Sequence, residues 1–129
     1  MAGRVILTPN ASEAARLLDT DTAPPDAGRR IADSWDAVVS YHGTVVAPAG
    51  SALTVGTGHS GLGTSGSGDV LAGAVVGLLA RGASPLQAAC WGTYLHAAAG
   101  DRLAARIGRL GFLARELVPE LPALLTELG

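Results

Sequence analysis

The sequence predicts an α/β or α+β fold, and three observations lead to that prediction. Short strand patterns fill the first half of the chain, and long helical patterns fill the second half. Hydrophobic residues make up 48% of the chain and charged residues 16%, a composition typical of a protein that buries a core. A glycine-rich stretch separates the two halves. At 129 residues, we expect a single domain covering residues 1–129.

The charge balance excludes several classes of function. All nine basic residues are arginines, and together with 11 acidic residues they give a net charge of -2, so nucleic-acid binding is not expected. Without any lysine, the chain cannot form a Walker-type phosphate site or a Schiff base. The single cysteine, Cys90, cannot form an intramolecular disulfide, which favours the cytoplasm. No segment has the character of a signal peptide or a membrane span.

The first predicted element is a buried strand over residues 4–7, which leads directly into a helix. Asn10 and Glu13 stand three residues apart and have the spacing of a capping box. A short helix should follow as far as Leu18, since its apolar positions share one face.

A second helix is predicted over residues 26–35, with Ile31 and Trp35 facing the core. Strand patterns follow at 37–41, 44–47 and 52–55. The first two strands are separated only by His42 and Gly43, which is typical of a tight hairpin.

Two long apolar helices are predicted next, from Asp69 to about Gly82 and from Pro85 to about Arg106. Both are expected to be buried, with Trp91 in the core. A last amphipathic helix is predicted over residues 112–128.

Asp69 is the only fully charged residue between positions 37 and 80, and it follows a segment with six glycines in 13 positions, 56–68. Its place at a predicted helix start allows two interpretations. The carboxylate could simply be the N-cap of the helix. Alternatively, the small residues before it could let backbone N–H groups converge on a phosphate, which the carboxylate would then face.

Three segments carry a resemblance to a known family: LTPNASEAARLL at 7–18, GLGTSGSGDVLAGAVVGLLARG at 61–82, and LHAAAGDRLAARIGRLGFLARELVPELP at 95–122. Together they resemble the ADP/ATP-dependent NAD(P)H-hydrate dehydratases, carbohydrate kinase-type members of the ribokinase-like superfamily. The resemblance implies a three-layer α/β/α domain. Because family members are longer, it also implies that this chain corresponds to the C-terminal half of that domain and that the N-terminal half is absent.

The resemblance implies a repair reaction, in which a nucleotide phosphorylates the hydroxyl of hydrated NADH or NADPH and loss of phosphate restores the ring. Asp69 matches the catalytic aspartate, which takes the hydroxyl proton and faces the substrate. The backbone N–H groups of Gly66, Ser67 and Gly68 would form the anion hole for the transferred phosphoryl group. ADP or ATP would be the donor. No protein metal site is expected, and Mg²⁺ would arrive with the nucleotide phosphates.

The resemblance assigns further contacts. Gly68 matches a nucleotide-binding glycine, and Asn10 stands where the family usually has a histidine that contacts the hydrated dinucleotide. The family's K-G-x-x-T segment, which contacts the nucleotide, aligns with Ser40, Tyr41, His42, Gly43 and Thr44. Only the threonine is kept, so a positive charge near the nucleotide is lost.

Two other functions stay open at this stage. A small-molecule kinase of the same superfamily would use a similar anion hole, but its phosphorylated product would accumulate. A non-catalytic nucleotide-binding fragment is favoured by the missing lysine and by the absent N-terminal half. The exposed sheet edge that such a chain would have suggests a homo-oligomer, or pairing with the missing half.

Overall fold

The computed structural model describes residues 4–50, 52–54 and 67–107, together with positions 119, 121 and 122. Its elements in chain order are β1 (Ile6–Leu7), α1 (Ala11–Leu18), α2 (Ala27–Trp35), β2 (Val38–Tyr41), β3 (Thr44–Val46), β4 (Ala52–Thr54), α3 (Ser67–Ala80) and α4 (Pro85–Ile107). The glycine-rich stretch before Ser67, and most of the helix predicted over 112–128, lie outside the described residues. None of the helices described is long and apolar enough to cross a membrane.

The four strands form one mixed sheet in the order β1-β2-β3-β4. β1 and β2 are parallel, with Ile6 opposite Val38, and the two helices α1 and α2 connect them. β2, β3 and β4 follow as antiparallel neighbours. The pairing therefore makes β4 parallel to β1 and β2.

Both faces of the sheet are covered by helices. On one face, Val39 and Val46 pack in a cluster with Ile31 of α2 and Ala14 of α1. On the other face, β2 and β3 pack against Ala89 of α4. The helix α3 packs along α4, where Val70 and Leu78 lie against the cluster of Leu95 and Ala99. The described residues thus form the helix, sheet and helix layers that the sequence predicts.

Local sequence signals explain where the elements begin and end. Asn10 and Glu13 form the predicted capping box at the start of α1, and Ser84 and Gln87 form a second one at the start of α4. Gly82 ends the turn after α3 with φ +98°, in hydrogen bonding typical of a Schellman motif.

The hairpin between β2 and β3 is the predicted two-residue turn. Tyr41 lies opposite Thr44, and both residues between them have positive φ, 48° at His42 and 81° at Gly43. Such angles define a type I′ turn, whose twist matches that of the two strands.

The two tryptophans predicted in the core are exposed. Trp35 is the last residue of α2, beyond the buried Ile31 and Ala32, and 54% of its surface is accessible. Trp91 is 51% exposed, because two residues along a helix turn a side chain about 200° away from the sheet-facing Ala89.

The predicted burial of α3 is found on one side only. Val75 is buried against α4, but Val76 is 62% exposed and Leu79 is 37% exposed. Only the face of α3 toward α4 is covered within the described part of the chain.

Candidate functional site

The carboxyl ends of the parallel strands β1, β2 and β4 meet at one edge of the sheet. Asn10 follows β1, His42 follows β2, and the chain leaves β4 at Thr54 toward α3. Thr44, at the start of β3, lies opposite Thr54 and belongs to the same edge. In open α/β sheets, ligands bind outside the carboxyl ends of the strands. We call this region the carboxyl edge.

The start of α3 also lies toward the carboxyl edge. Along α4, Ala89 packs near Val38 at the start of β2, and one turn later Thr93 is hydrogen-bonded to Ser40 near the end of β2. The helix α4 therefore runs toward the carboxyl edge. A short turn joins α3 to α4 and the two pack together, so α3 runs the opposite way and begins at that edge.

Asp69 is the third residue of α3 and its side chain is exposed. It is not the N-cap, because Ser67 and Gly68 already adopt helical geometry and move the helix start two residues ahead of the predicted one. At this position the helix macrodipole favours a carboxylate. The structure thus excludes the simple N-cap interpretation and leaves the carboxylate accessible at the first turn.

The predicted anion hole falls on the first helical residues. Ser67 and Gly68 open α3, where backbone N–H groups have no acceptor within the helix. Gly68 is exposed, and no atom lies within 4 Å of the position that a Cβ would occupy there. Gly66 lies outside the described residues. The first turn of α3 therefore presents backbone N–H groups that lack a helical acceptor, in the same turn as the exposed Asp69 carboxylate.

The side-chain oxygen and the backbone nitrogen of Asn10 already take part in the capping box of α1. Its Oδ1 accepts a hydrogen bond from the backbone N of Glu13 at 2.8 Å, and its own backbone N donates to Glu13 Oε1 at 3.0 Å. The capping box does not use the amide Nδ2. A contact of Asn10 with a substrate would therefore use that nitrogen as a donor.

The predicted nucleotide segment divides into a buried part and an exposed part. Ser40 is 3% exposed, and its hydroxyl lies 2.6 Å from Oγ1 of Thr93, on the α4 side of the sheet. Tyr41 packs against the cluster on the α2 side. His42 is exposed and stacks on Tyr41 with ring centres 4.0 Å apart. Only the turn itself and Thr44 face the carboxyl edge.

The sequence analysis missed Thr93. Thr93 carries a hydroxyl on the apolar side of a long helix, and Ser40 carries one in an apolar strand. Buried polar groups require partners, so two such residues on packed elements are candidates for each other.

The other titratable and nucleophilic side chains among the described residues form no second functional site. No group of three His, Cys, Asp or Glu side chains there could hold a metal ion. Burial raises the pKa of the Cys90 thiol, so at neutral pH the thiol stays protonated and is a weak nucleophile.

Comparisons with known proteins show which family the chain resembles. A family model described as NAD(P)H-hydrate dehydratase matches residues 1–123. The ADP-dependent (S)-NAD(P)H-hydrate dehydratase of Xanthomonas campestris is 46% identical, over 95% of this chain and 45% of its own length. The bifunctional NAD(P)H-hydrate repair enzyme of Moorella thermoacetica is 41% identical, over 98% of this chain and 25% of its own.

A solved structure shows the same fold. The ADP/ATP-dependent NAD(P)H-hydrate dehydratase from Bacillus subtilis, co-crystallised with ATP and Mg²⁺, superposes with a TM-score of 0.87 at 26% identity. The superposition covers 98% of this chain and 49% of the Bacillus chain. This chain therefore spans about half the length of these single-activity relatives. With a family match over nearly its whole length, the chain belongs to the NAD(P)H-hydrate dehydratase family.

Proposed function

We propose that this chain carries the nucleotide-binding and catalytic half of an enzyme that dehydrates hydrated NADH or NADPH at the expense of ADP or ATP. The observation that supports this most directly is the exposed Asp69 carboxylate in the first turn of the apolar helix α3, at the carboxyl edge. In this proposal, residues 1–129 are the C-terminal half of a ribokinase-like domain.

Asp69 acts as the general base of the phosphoryl transfer. It takes the proton from the substrate hydroxyl while that oxygen bonds to the terminal phosphorus and the bond from phosphorus to the leaving nucleotide breaks. The backbone N–H groups of Gly66, Ser67 and Gly68 hold the charge that develops on the phosphoryl oxygens. The C–O bond to phosphate in the product then breaks, phosphate leaves with the bonding electrons, and the neighbouring ring carbon loses a proton to water, so the double bond of the reduced ring is restored.

The nucleotide is held at the same edge. Gly68, the His42–Gly43 turn and Thr44 are the groups that we assign to its binding, whereas the buried side chain of Ser40 takes no part. Oxygen ligands suit Mg²⁺, so the nucleotide phosphates would hold that ion, which supplies charge neutralisation on the nucleotide. The amide nitrogen of Asn10 contacts the hydrated dinucleotide.

The cytoplasm is the expected compartment, because the single cysteine has no partner in the sequence.

An assay with hydrated NADH tests the function. It is run with ADP and with ATP, on this chain alone and on this chain joined to the part of the Xanthomonas relative that lies outside the match. We expect the joined chain to restore the absorbance of reduced dinucleotide and to release inorganic phosphate. A joined chain that accumulates a phosphorylated product would be a kinase instead, and one that turns over neither nucleotide would refute the proposal.

The role of Asp69 is tested by Asp69→Asn in the joined chain. We expect turnover to be lost while binding of ADP or ATP stays within a few-fold, because the base is removed and the backbone donors remain. Asp21→Asn, at an exposed site between α1 and α2, is the matched control and should keep full activity. Wild-type activity of Asp69→Asn would disprove the mechanism.

A further inference from the structure

A buried histidine on α4 takes no part in the reaction proposed above. Among the side chains that the structure describes, His96 is the one titratable group that is buried, at 8% exposure. A buried imidazole loses its hydration and needs hydrogen bonds inside the protein, whereas an aliphatic side chain could fill the same space without that cost. The location of His96 in the fold indicates why an imidazole is used there.

His96 faces the crevice where the sheet, α3 and α4 meet. Ala89 of α4 packs on Val38 of the sheet, and His96, seven residues later, points within about 20° of the same direction. Leu95, which lies in a cluster with Val70 of α3, points about 100° to the other side of His96. His96 therefore lies between the sheet-facing and the α3-facing sides of α4.

His96 is also level with the first part of α3. The two helices meet at Gly92 and Val75, where an added Cβ would lie 2.7 Å from Val75 Cγ2. Because the helices run in opposite directions, the step from Gly92 to His96 on α4 matches the step from Val75 back to Leu71 on α3. Asp69 is only about 3 Å farther along the helix axis, toward the carboxyl edge. The imidazole is therefore buried on the inner side of the turn that carries the Asp69 carboxylate.

The end of β2 lies on the other side of the same histidine. Thr93, three residues before His96, is hydrogen-bonded to Ser40 at 2.6 Å. Three residues advance α4 by about 4.5 Å toward the carboxyl edge, past Ser40 and toward Tyr41, where β2 ends and the His42–Gly43 turn begins. His96 is thus located between the turn that we assign to the nucleotide and the helix start that we assign to the phosphate.

We propose that His96 is a positioning residue for phosphoryl transfer, whose imidazole holds the first turn of α3 at a fixed distance from the end of β2. This inference rests on the proposed function, since it concerns the same site. The imidazole does not touch the substrate. It aligns Asp69 and the phosphate-binding amides with the nucleotide at the turn after β2. The attacking and leaving oxygens must lie roughly in line with phosphorus, and a misplacement of about 1 Å can slow such a reaction about 100-fold.

Kinetics of His96 variants in the joined chain test this role. His96→Leu removes both ring nitrogens and keeps an apolar side chain. We expect kcat to fall about tenfold or more, with KM for ADP within about threefold of wild type, because alignment is lost and the nucleotide contacts remain. His96→Gln restores a donor and an acceptor in the same space, so its kcat should exceed that of His96→Leu by about threefold or more.

Thr93→Val is the matched control. Thr93 is buried on the same side of α4, about one turn farther from the carboxyl edge. The change should lower the free energy of unfolding but leave kcat within about twofold of wild type. An equal loss of kcat in Thr93→Val and His96→Leu would overturn the proposal, because a general loss of packing would explain both. Wild-type kcat in His96→Leu would also overturn it.

Amide hydrogen exchange tests the positioning without activity. In α3 the amides of residues 71–73 are bonded to the carbonyls of residues 67–69, so their exchange reports the opening of the first turn. In this chain by itself, we expect exchange at 71–73 to be about tenfold faster or more in His96→Leu than in wild type, and within about twofold of wild type in Thr93→Val.

The two measurements separate this inference from the proposed function. If the joined wild-type chain has no dehydratase activity, faster exchange in His96→Leu still supports the positioning and refutes only the function. An active wild type with unchanged exchange in His96→Leu supports the function and overturns the positioning. Where His96→Leu does not fold, His96→Phe, which keeps a planar ring without nitrogens, replaces it. If neither folds while His96→Gln has wild-type kcat and exchange, the role is purely structural and the proposal is overturned.

Discussion

The two polar atoms of the Asn10 side chain have different roles. Oδ1 accepts the backbone hydrogen bond that caps α1, so its position is fixed by the helix. The capping box leaves Nδ2 unused, and we propose that this nitrogen donates to the substrate.

The substitution Asn10→Asp keeps the helix cap and removes the side-chain donor. The carboxylate is an equally good N-cap and has a favourable interaction with the helix dipole, so the melting temperature should not fall. The donor to the substrate is lost, so KM for hydrated NADH should rise in the joined chain while the affinity for ADP is kept. Asn10→Ala is the control that loses both, with about 1 kcal/mol of stability. An unchanged KM in Asn10→Asp would remove Asn10 from the substrate site.

The hydrogen bond between Ser40 and Thr93 joins β2 to α4 in the interior. Ser40→Ala leaves the Thr93 hydroxyl buried without this partner, and we expect a loss of about 1–3 kcal/mol in the free energy of unfolding. Adding Thr93→Val should recover part of that loss, as measured by urea unfolding in a double-mutant cycle.

The exposed pair Thr44 and Thr54, 3.4 Å apart, provides the control. Thr54→Val should change stability by no more than about 0.5 kcal/mol, since water can replace that contact. If the buried and the exposed pair lose equal free energy of unfolding, burial does not strengthen the contribution of the Ser40–Thr93 hydrogen bond to stability.

At the scale of elements, the sequence predicts best where a local rule decides. The capping box of α1, the type I′ turn at His42 and the end of α3 at Gly82 each depend on residues within one turn. The start of α3 is less well predicted, because Ser67 and Gly68 have weak helix propensity and the carboxylate of Asp69 has the chemistry of a cap. Local propensity therefore does not place that boundary.

The packing of α3 on α4 depends on one close approach. A Cβ added at Gly92 would lie 2.7 Å from Cγ2 of Val75 and 3.4 Å from its backbone. Gly92→Ala should therefore push the helices apart and lower the free energy of unfolding by about 1–3 kcal/mol.

Gly28→Ala in α2 is the matched control. There the added Cβ would make ordinary contacts, at 3.6 Å to Val46 and 3.7 Å to Tyr41. Because alanine is the better helix former, this variant should gain about 0.5–1 kcal/mol. If both variants shift stability in the same direction in urea unfolding, the close approach of α3 and α4 does not limit that interface.

At the scale of the whole molecule, periodicity gives an α/β or α+β class and the order of elements, but it does not say which apolar residues are covered. Trp35 and Trp91 are apolar at helical spacing and are nevertheless exposed. Burial depends on which elements meet, and this is a property of the complete fold. The same limit applies to the site: the pattern finds Asp69, whereas its place at the carboxyl edge follows only from the direction of α4.

Nucleotide binding should stabilise this chain by itself, because the backbone amides that we propose as the phosphate site lie within it. At an ADP concentration 100 times Kd, with Mg²⁺, we expect about 2.7 kcal/mol of added stability and a higher melting temperature. Adenosine, which lacks phosphates, is the control and should give no shift. Equal shifts with adenosine and ADP would contradict phosphate recognition at α3.

Two side chains of α2 make hydrogen bonds with the backbone of the turn between β3 and β4. The guanidinium of Arg29 donates to the carbonyls of Ala47 and Gly50 at 2.8 and 2.6 Å, and Asp33 accepts from the backbone N of Ala49 at 2.9 Å. Surface turns are usually good places for protein engineers to insert a tag or a reporter. Here an insertion would break three hydrogen bonds at once, so this turn is a poor choice despite its accessibility, and lysine, with a single ammonium, could not replace the arginine fork.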